Sequence, residues 1–201
     1  GLGISSSDHV VVYDNAGMMT APRVWWCLRA FGHARVSLLD GGLIKWRAEG
    51  RATTTDIPAI PAASFRARLD PAMVRTVDQV RANLDSRAEQ VLDARSAGRF
   101  AGIDPEPRPE CRSGHIPGSL NLPFGELIDP ATKTVRPAAE LAARLAKSGI
   151  DMSRPVVTTC GSGVTACVLA LGMHLVGKDD VAVYDGSWSE WGSRKDTPVE
   201  T

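Results

Sequence analysis

Val156-Val157-Thr158-Thr159-Cys160-Gly161-Ser162-Gly163-Val164-Thr165-Ala166 joins a short apolar strand, a cysteine, a glycine-rich turn and the opening of an apolar helix. A strand of this length running directly into a helical stretch argues for a parallel sheet covered by helices on its faces. The helix is predicted from Val164 to Leu175, and a second strand, Val181-Ala182-Val183-Tyr184, follows it and ends in Asp185-Gly186, with Trp191 beyond. This is an α/β unit with a cysteine at the carboxyl end of a strand. Chemistry concentrates there, because a helix's first amides are unpaired and its dipole is positive.

The same order of elements occurs near the start of the chain. Val10-Val11-Val12-Tyr13-Asp14 reads as a strand, a helix-like stretch runs through Trp25, Trp26, Leu28 and Phe31, and Val36 to Leu39 leads into Asp40-Gly41-Gly42 with Trp46 beyond. Asp14 falls opposite Cys160 and Asp40 opposite Asp185, and the two offsets agree within one residue, as an internal repeat requires. The second copy also has a front half: a helix from Val77 to Ala88 with Thr76 as N-cap, a strand Val91-Leu92-Asp93, and a helix opened by Pro137 with Glu140 in its first turn. The first copy has no counterpart of residues 77 to 150, so the sequence is expected to be a fragment, or one piece of a split molecule. Between the copies, Arg51 to Ala72 is rich in Pro, Thr and Ala without sustained period, the composition of a surface linker.

Composition sets outer limits. The 201 residues carry 23 basic and 23 acidic side chains and are 43% hydrophobic, enough to bury a substantial core. A net charge of zero provides no field to hold a polyanion, so neither nucleic acid nor an anionic membrane is an expected partner. The longest apolar run, Val164 to Val176, is short of a bilayer span, and the first residues carry no secretory signal, so the expected setting is cytoplasmic and reducing. Cys27, Cys111, Cys160 and Cys167 are too few and too irregularly spaced for a disulfide framework or a zinc site.

Cys160 is the chemical candidate. Glycines at 161 and 163 are expected to adopt positive φ and to turn successive N–H groups around the sulfur, forming a nest that stabilises a thiolate. Cysteine phosphatases and sulfurtransferases both use a strand, a Cys-headed loop and a helix in this way. A phosphatase clamps phosphate with an arginine at the position occupied here by Ala166, which disfavours phosphate-ester chemistry. Cys27 and Cys167 lie in apolar helical stretches and are expected in the core. Cys111, in the polar run Glu110-Cys111-Arg112-Ser113, is expected to be exposed.

The repeat, the loop Cys160 to Ala166, and the segments Val91-Leu92-Asp93-Ala94-Arg95, Gly114-His115-Ile116-Pro117-Gly118-Ser119 and Asp185-Gly186-Ser187-Trp188 together resemble the rhodanese superfamily. Within it, the Cys-Gly-Ser-Gly-Val-Thr loop resembles the 3-mercaptopyruvate sulfurtransferase branch rather than the thiosulfate branch. The resemblance implies a rhodanese-like α/β fold, a parallel sheet flanked by helices, with one complete domain preceded by the C-terminal part of a second. The expected boundaries are residues 1–50 for the C-terminal part of a first, inactive domain, 51–72 for the linker and 73–201 for the catalytic domain. It also implies that Cys160 takes sulfur from 3-mercaptopyruvate, releases pyruvate, and hands the persulfide sulfur to thioredoxin, a small thiol or cyanide. No cofactor is implied, since sulfur transfer at a thiolate needs neither metal nor nucleotide.

Arginines in two motifs of that family bind the substrate carboxylate, and the matching positions are Arg99 in Gly98-Arg99-Phe100 and Arg108 in Pro105-Glu106-Pro107-Arg108. A guanidinium fork suits that bidentate task. Gly161, Gly163, Val164 and Thr165 are expected to line the substrate. The hydroxyls of Ser162 and Thr165 either bond the sulfur or keto group or cap the loop, two readings that stand level. In the family, the serine is paired with a histidine and an aspartate of the first domain, and no residue here matches them. The absent N-terminal segment is therefore a possible partner in trans. His115 is expected to be a turn histidine beside the sheet, Asp93 to hold the loop backbone at its strand end, and the tryptophans at 25, 26, 46, 188 and 191 to be core or interface residues. A thiosulfate sulfurtransferase and a non-catalytic remnant that serves in binding are the alternatives.

Overall fold

The computed structural model describes residues 2–201. Its main sheet has five parallel strands in the order β3-β7-β6-β4-β5: β3 (Val74–Arg75), β4 (Gln90–Asp93), β5 (Leu120–Asn121), β6 (Val156–Thr159) and β7 (Val181–Tyr184). β4 and β6 are buried almost end to end because both faces of the sheet are covered. Successive side chains point to opposite faces, so each strand feeds two cores. Leu92, Val156 and Val183 face α5 (Ala138–Lys147) and α6 (Ala166–Leu175). Val91, Val157 and Ala182 face α3 (Val77–Ser86) and α7 (Ser187–Trp191), where Trp188 and Trp191 are fully buried.

The capping signal at Thr76 is realised in full. Its side chain accepts from the Gln79 N–H while the Gln79 side chain accepts from the Thr76 N–H, a reciprocal capping box at the start of α3. That helix ends at Ser86, two residues before the sequence expectation, because Arg87 turns left-handed at φ 47°. α6 starts at Ala166 rather than Val164, since the loop after Cys160 takes a positive-φ turn at Gly163 first. The short α4 (Ala97–Phe100), capped by Ser96, projects from the end of β4.

A smaller parallel pair, β1 (Val10–Val12) and β2 (Val36–Leu38), is joined by α1 (Ala21–Ala30) and followed by α2 (Gly42–Ala48). β1 is shorter than predicted, because Tyr13 and Asp14 already belong to the turn that follows. α1 packs between this pair and α6, burying Trp25 and Trp26. Of the two places expected for the tryptophans, core or interface, Trp46 is not in the core. It is half-exposed on α2, with its indole N–H donating to the Ala52 carbonyl and Arg51 lying over its ring. Residues 51–70 carry no regular structure and are almost wholly exposed. Among the described residues, no helix is long and apolar enough to cross a membrane.

Candidate active site

The chain leaves β4 toward β5 on one side of the sheet and leaves β6 toward β7 on the other. The carboxyl ends of β4 and β6 therefore flank the point where strand order reverses, the place where open α/β sheets bind their ligands. The two ends are in register, Asp93 opposite Thr159, and the Ala94 N–H donates to the Thr159 carbonyl. Cys160 is the residue that follows β6, and only 1% of it is exposed.

The loop from Cys160 to Thr165 is held by its carbonyls. The Trp188 N–H donates to the Cys160 carbonyl at 2.9 Å and the Ser189 N–H to the Gly161 carbonyl at 2.8 Å, both from the first turn of α7. The Gly163 carbonyl accepts from Arg23 Nη1 at 3.2 Å and from the Cys167 thiol at 3.3 Å. In a trans peptide the C=O and the following N–H point in opposite directions. Pinning these carbonyls outward therefore turns the amides that follow them inward. Among the described residues, the N–H groups of 161 to 165 have no protein acceptor, so the loop that follows Cys160 carries a run of free donors, with those of 161, 162 and 164 turned away from the pinned carbonyls.

The two glycines have different reasons to be there. Gly163 sits at φ 77°, and a Cβ on it would lie 2.6 Å from the Asp185 carbonyl oxygen. Gly161 does not take the positive φ expected of it. Its lack of a side chain instead admits Arg99, whose Nη2 would stand 3.2 Å from a Cβ at that position.

Arg99 thus reaches the loop, and it does so as part of a charged chain. Arg99 pairs with Glu106 through Nε at 3.2 Å and Nη2 at 2.6 Å; Glu106 also accepts from Arg95 Nη1 at 2.8 Å. Arg95, almost fully buried, grips both oxygens of Asp93, donates to the Gly114 carbonyl and lies 4.3 Å from the centre of the Trp188 ring. Asp93 accepts the Arg95 N–H as well, so it holds the loop at its strand end as the sequence suggested. Arg95 and Glu106 escaped sequence reasoning because they lie in irregular loops, although the Asp93-x-Arg95 spacing was a signal. Arg108 is exposed and, among the described residues, makes no ion pair. Ser162 is exposed and Thr165 half-buried; among the described residues neither hydroxyl has a protein partner, and Thr165 makes no side-chain cap although it occupies the N-cap position of α6.

Ser187 is a third residue that the sequence did not single out. It is fully buried at φ 50°, a conformation costly for a non-glycine. Its Oγ accepts from the Cys160 N–H at 3.2 Å, donates to the Tyr184 carbonyl at 2.8 Å and lies 4.0 Å from the Cys160 sulfur. The other thiols are subdued. Burial pushes the Cys167 thiol far up, and also raises Cys27, which is half-buried rather than fully in the core. Cys111 is likewise half-buried rather than exposed, with its thiol donating to the Trp188 carbonyl at 3.8 Å. Burial and the nearby Glu110 and Glu106 hold it protonated. His115 is structural: it stacks on Phe100 with centroids 3.8 Å apart and its Nδ1 meets the Phe100 carbonyl at 2.8 Å. Among the described residues, no group of three or more His, Cys, Asp and Glu side chains is gathered as metal ligands would be.

Comparison with known proteins places this geometry. The rhodanese-like domain model matches residues 2–49 and 76–194. Human 3-mercaptopyruvate sulfurtransferase is 47% identical over 94% of this chain and 64% of its own length. Thiosulfate/3-mercaptopyruvate sulfurtransferase 1 of Arabidopsis thaliana is 44% identical over all of this chain and 58% of its own length, so the chain spans about three-fifths of these relatives. The crystal structure of the Escherichia coli 3-mercaptopyruvate sulfotransferase SseA superposes with a TM-score of 0.81 at 36% identity, covering 94% of this chain and 70% of that one. The cysteine loop, the switch-point placement and these matches lead to one conclusion: the chain belongs to the rhodanese family.

Proposed function

We propose that the chain carries the sulfur-transferring site of a 3-mercaptopyruvate sulfurtransferase, with Cys160 as nucleophile. The observation that carries this reading is the set of unpartnered amides at residues 161 to 165 that follow Cys160, with the Arg99 guanidinium over Gly161. The Cys160 thiolate attacks the donor sulfur; the carbon–sulfur bond breaks and its electron pair passes to carbon as the enolate of pyruvate. That enolate takes the proton of the transferred sulfur and leaves as pyruvate. The persulfide anion on Cys160 rests among the inward amides, where fixed dipoles need no reorganisation to receive charge. An acceptor thiolate or cyanide then attacks the outer sulfur and restores the Cys160 thiolate.

Charge balance favours this donor over thiosulfate. Asp93 and Glu106 neutralise Arg95 and Arg99, and the loop residues Gly161 and Ser162 are neutral. Among the described residues, Arg108 has no carboxylate partner, and a single free guanidinium suits one carboxylate better than a dianion. Gly161, Gly163, Val164 and Thr165 supply the backbone of the pocket, and Ser162 presents a free hydroxyl to the donor. The test compares kcat/KM for pyruvate release from 3-mercaptopyruvate with that for sulfite release from thiosulfate. The expected ratio is at least about tenfold in favour of 3-mercaptopyruvate, the factor that about 1.4 kcal/mol of differential binding gives; a ratio below one would overturn the donor assignment.

A further inference from the structure

Arg23 belongs to α1, on the small β1–β2 unit, yet its side chain ends at the cysteine loop. Nη1 forms an ion pair with Asp185 Oδ1 and donates to the Gly163 carbonyl. Burial works against the Arg23 charge, but the bond and charge of Asp185, together with the neighbouring Cys167 and Cys27, outweigh it and leave the guanidinium more basic than usual. Asp185 follows the last residue of β7, and both its carbonyl and its carboxylate crowd the space where a Gly163 side chain would be. Three segments distant in sequence thus meet at one peptide plane. The carbonyl of that plane is fixed outward, so its Val164 N–H is turned the opposite way, among the free donors of the loop.

We propose that Arg23 is a positioning residue, which acts through the Gly163–Val164 peptide to hold the Cys160 loop in its anion-receiving form. The small unit then contributes to the site directly, rather than only burying the back of α6. Asp185 is the anchor that sets the Arg23 fork, and the Cys167 thiol is a second donor to the same carbonyl. The importance of this arrangement for turnover rests on the sulfur-transfer reading; its effect on the loop does not.

The test uses the whole chain and measures alkylation of Cys160 by iodoacetamide, located by peptide mass, as the ratio of the rate at pH 7 to that at pH 10. Dividing by the rate at the higher pH cancels any change in access to the sulfur, so the ratio reports how far the loop favours the attacking anion. Arg23→Met is expected to lower the ratio about fivefold, the factor that one net hydrogen bond of about 1 kcal/mol is worth. Arg23→Lys, which keeps a cation and a donor, should recover part of the loss. Asp185→Asn removes the anchor's charge from a half-exposed side chain, so folding is spared, and should lower the ratio about threefold. Arg29→Met is the control, because Arg29 sits on the same helix, pairs with Asp179 and covers Trp25 without touching the loop. It should leave the ratio unchanged. Equal losses in Arg23→Met and Arg29→Met, or no loss in Asp185→Asn and Arg23→Met alike, would overturn the proposal. A loss confined to the Arg23 and Asp185 variants, in a protein that takes no sulfur from 3-mercaptopyruvate, would uphold Arg23 and sink the sulfur-transfer reading.

Discussion

Gly161 and Gly163 stand two residues apart in one loop and are required for unrelated reasons, which makes them separable by substitution. At Gly163, a methyl group meets backbone at 2.6 Å in a left-handed conformation, and backbone cannot give way. Gly163→Ala is expected to lower the stability to urea by about 2–4 kcal/mol, from strain and overpacking together. At Gly161, the nearest atoms to the methyl group are the guanidinium end of the Arg99 side chain, at 3.2 Å, and a side-chain end can shift. Gly161→Ala should keep its stability within about 1 kcal/mol and raise KM for the donor severalfold, because the arginine is displaced from the loop. Urea midpoints and donor kinetics on the two variants decide the matter; equal destabilisation would show that the two positions are equivalent. Both glycines are plain in the sequence, but their distinct partners are not, because Arg99 and Asp185 reach the loop through side chains from other segments. The Asp93–Arg95–Glu106–Arg99 chain was hidden for the same reason: ion pairs that run from a strand end through loops to a short helix leave no periodic trace.

Regular elements were far more legible. β6, β7 and α6 follow from runs of apolar residues, and the Thr76 capping box follows from two side chains three residues apart. Missing from the sequence was how the turn after β1 would close. Asp14 takes the N–H groups of Ala16, Met18, Thr20 and Ala21 on its own carboxylate, together with the Thr20 hydroxyl. This turn collects inward amides as the Cys160 loop does, with an internal anion already in place. Burial raises the Asp14 carboxyl, but the four amides outweigh burial and hold it below its ordinary value of 3.8. A depressed carboxyl stabilises the fold above its unfolded value, and that contribution is lost as pH falls through the folded value. Asp14→Asn should therefore cost about 1–2 kcal/mol at pH 7 and flatten the loss of stability below about pH 4. Chemical denaturation at pH 7 and pH 3 checks this: a variant as acid-sensitive as the parent would assign the effect elsewhere.

In the whole molecule, α1 is the joint. It covers β1 and β2 on one side and α6 on the other, and it sends Arg23 to the cysteine loop while Trp25 and Trp26 fill the space behind. The sequence showed the longer strands and helices, though not the short β3, β5, α2, α4 and α7, and it placed Cys160 at the end of a strand. It did not show that a helix more than a hundred residues earlier would touch the loop, because docking depends on side-chain shape rather than period. What holds the site together is an outward set of carbonyl acceptors and an inward set of amide donors, both serving one cysteine. The decisive measurement is the intact mass of the protein after brief incubation with 3-mercaptopyruvate, with Cys160→Ser alongside and pyruvate assayed in the same tube. One added sulfur, a gain of about 32 Da, with matching pyruvate and no gain in Cys160→Ser, is the predicted result. A folded protein that gains no mass and forms no pyruvate, or a Cys160→Ser variant that gains the same mass, would contradict it.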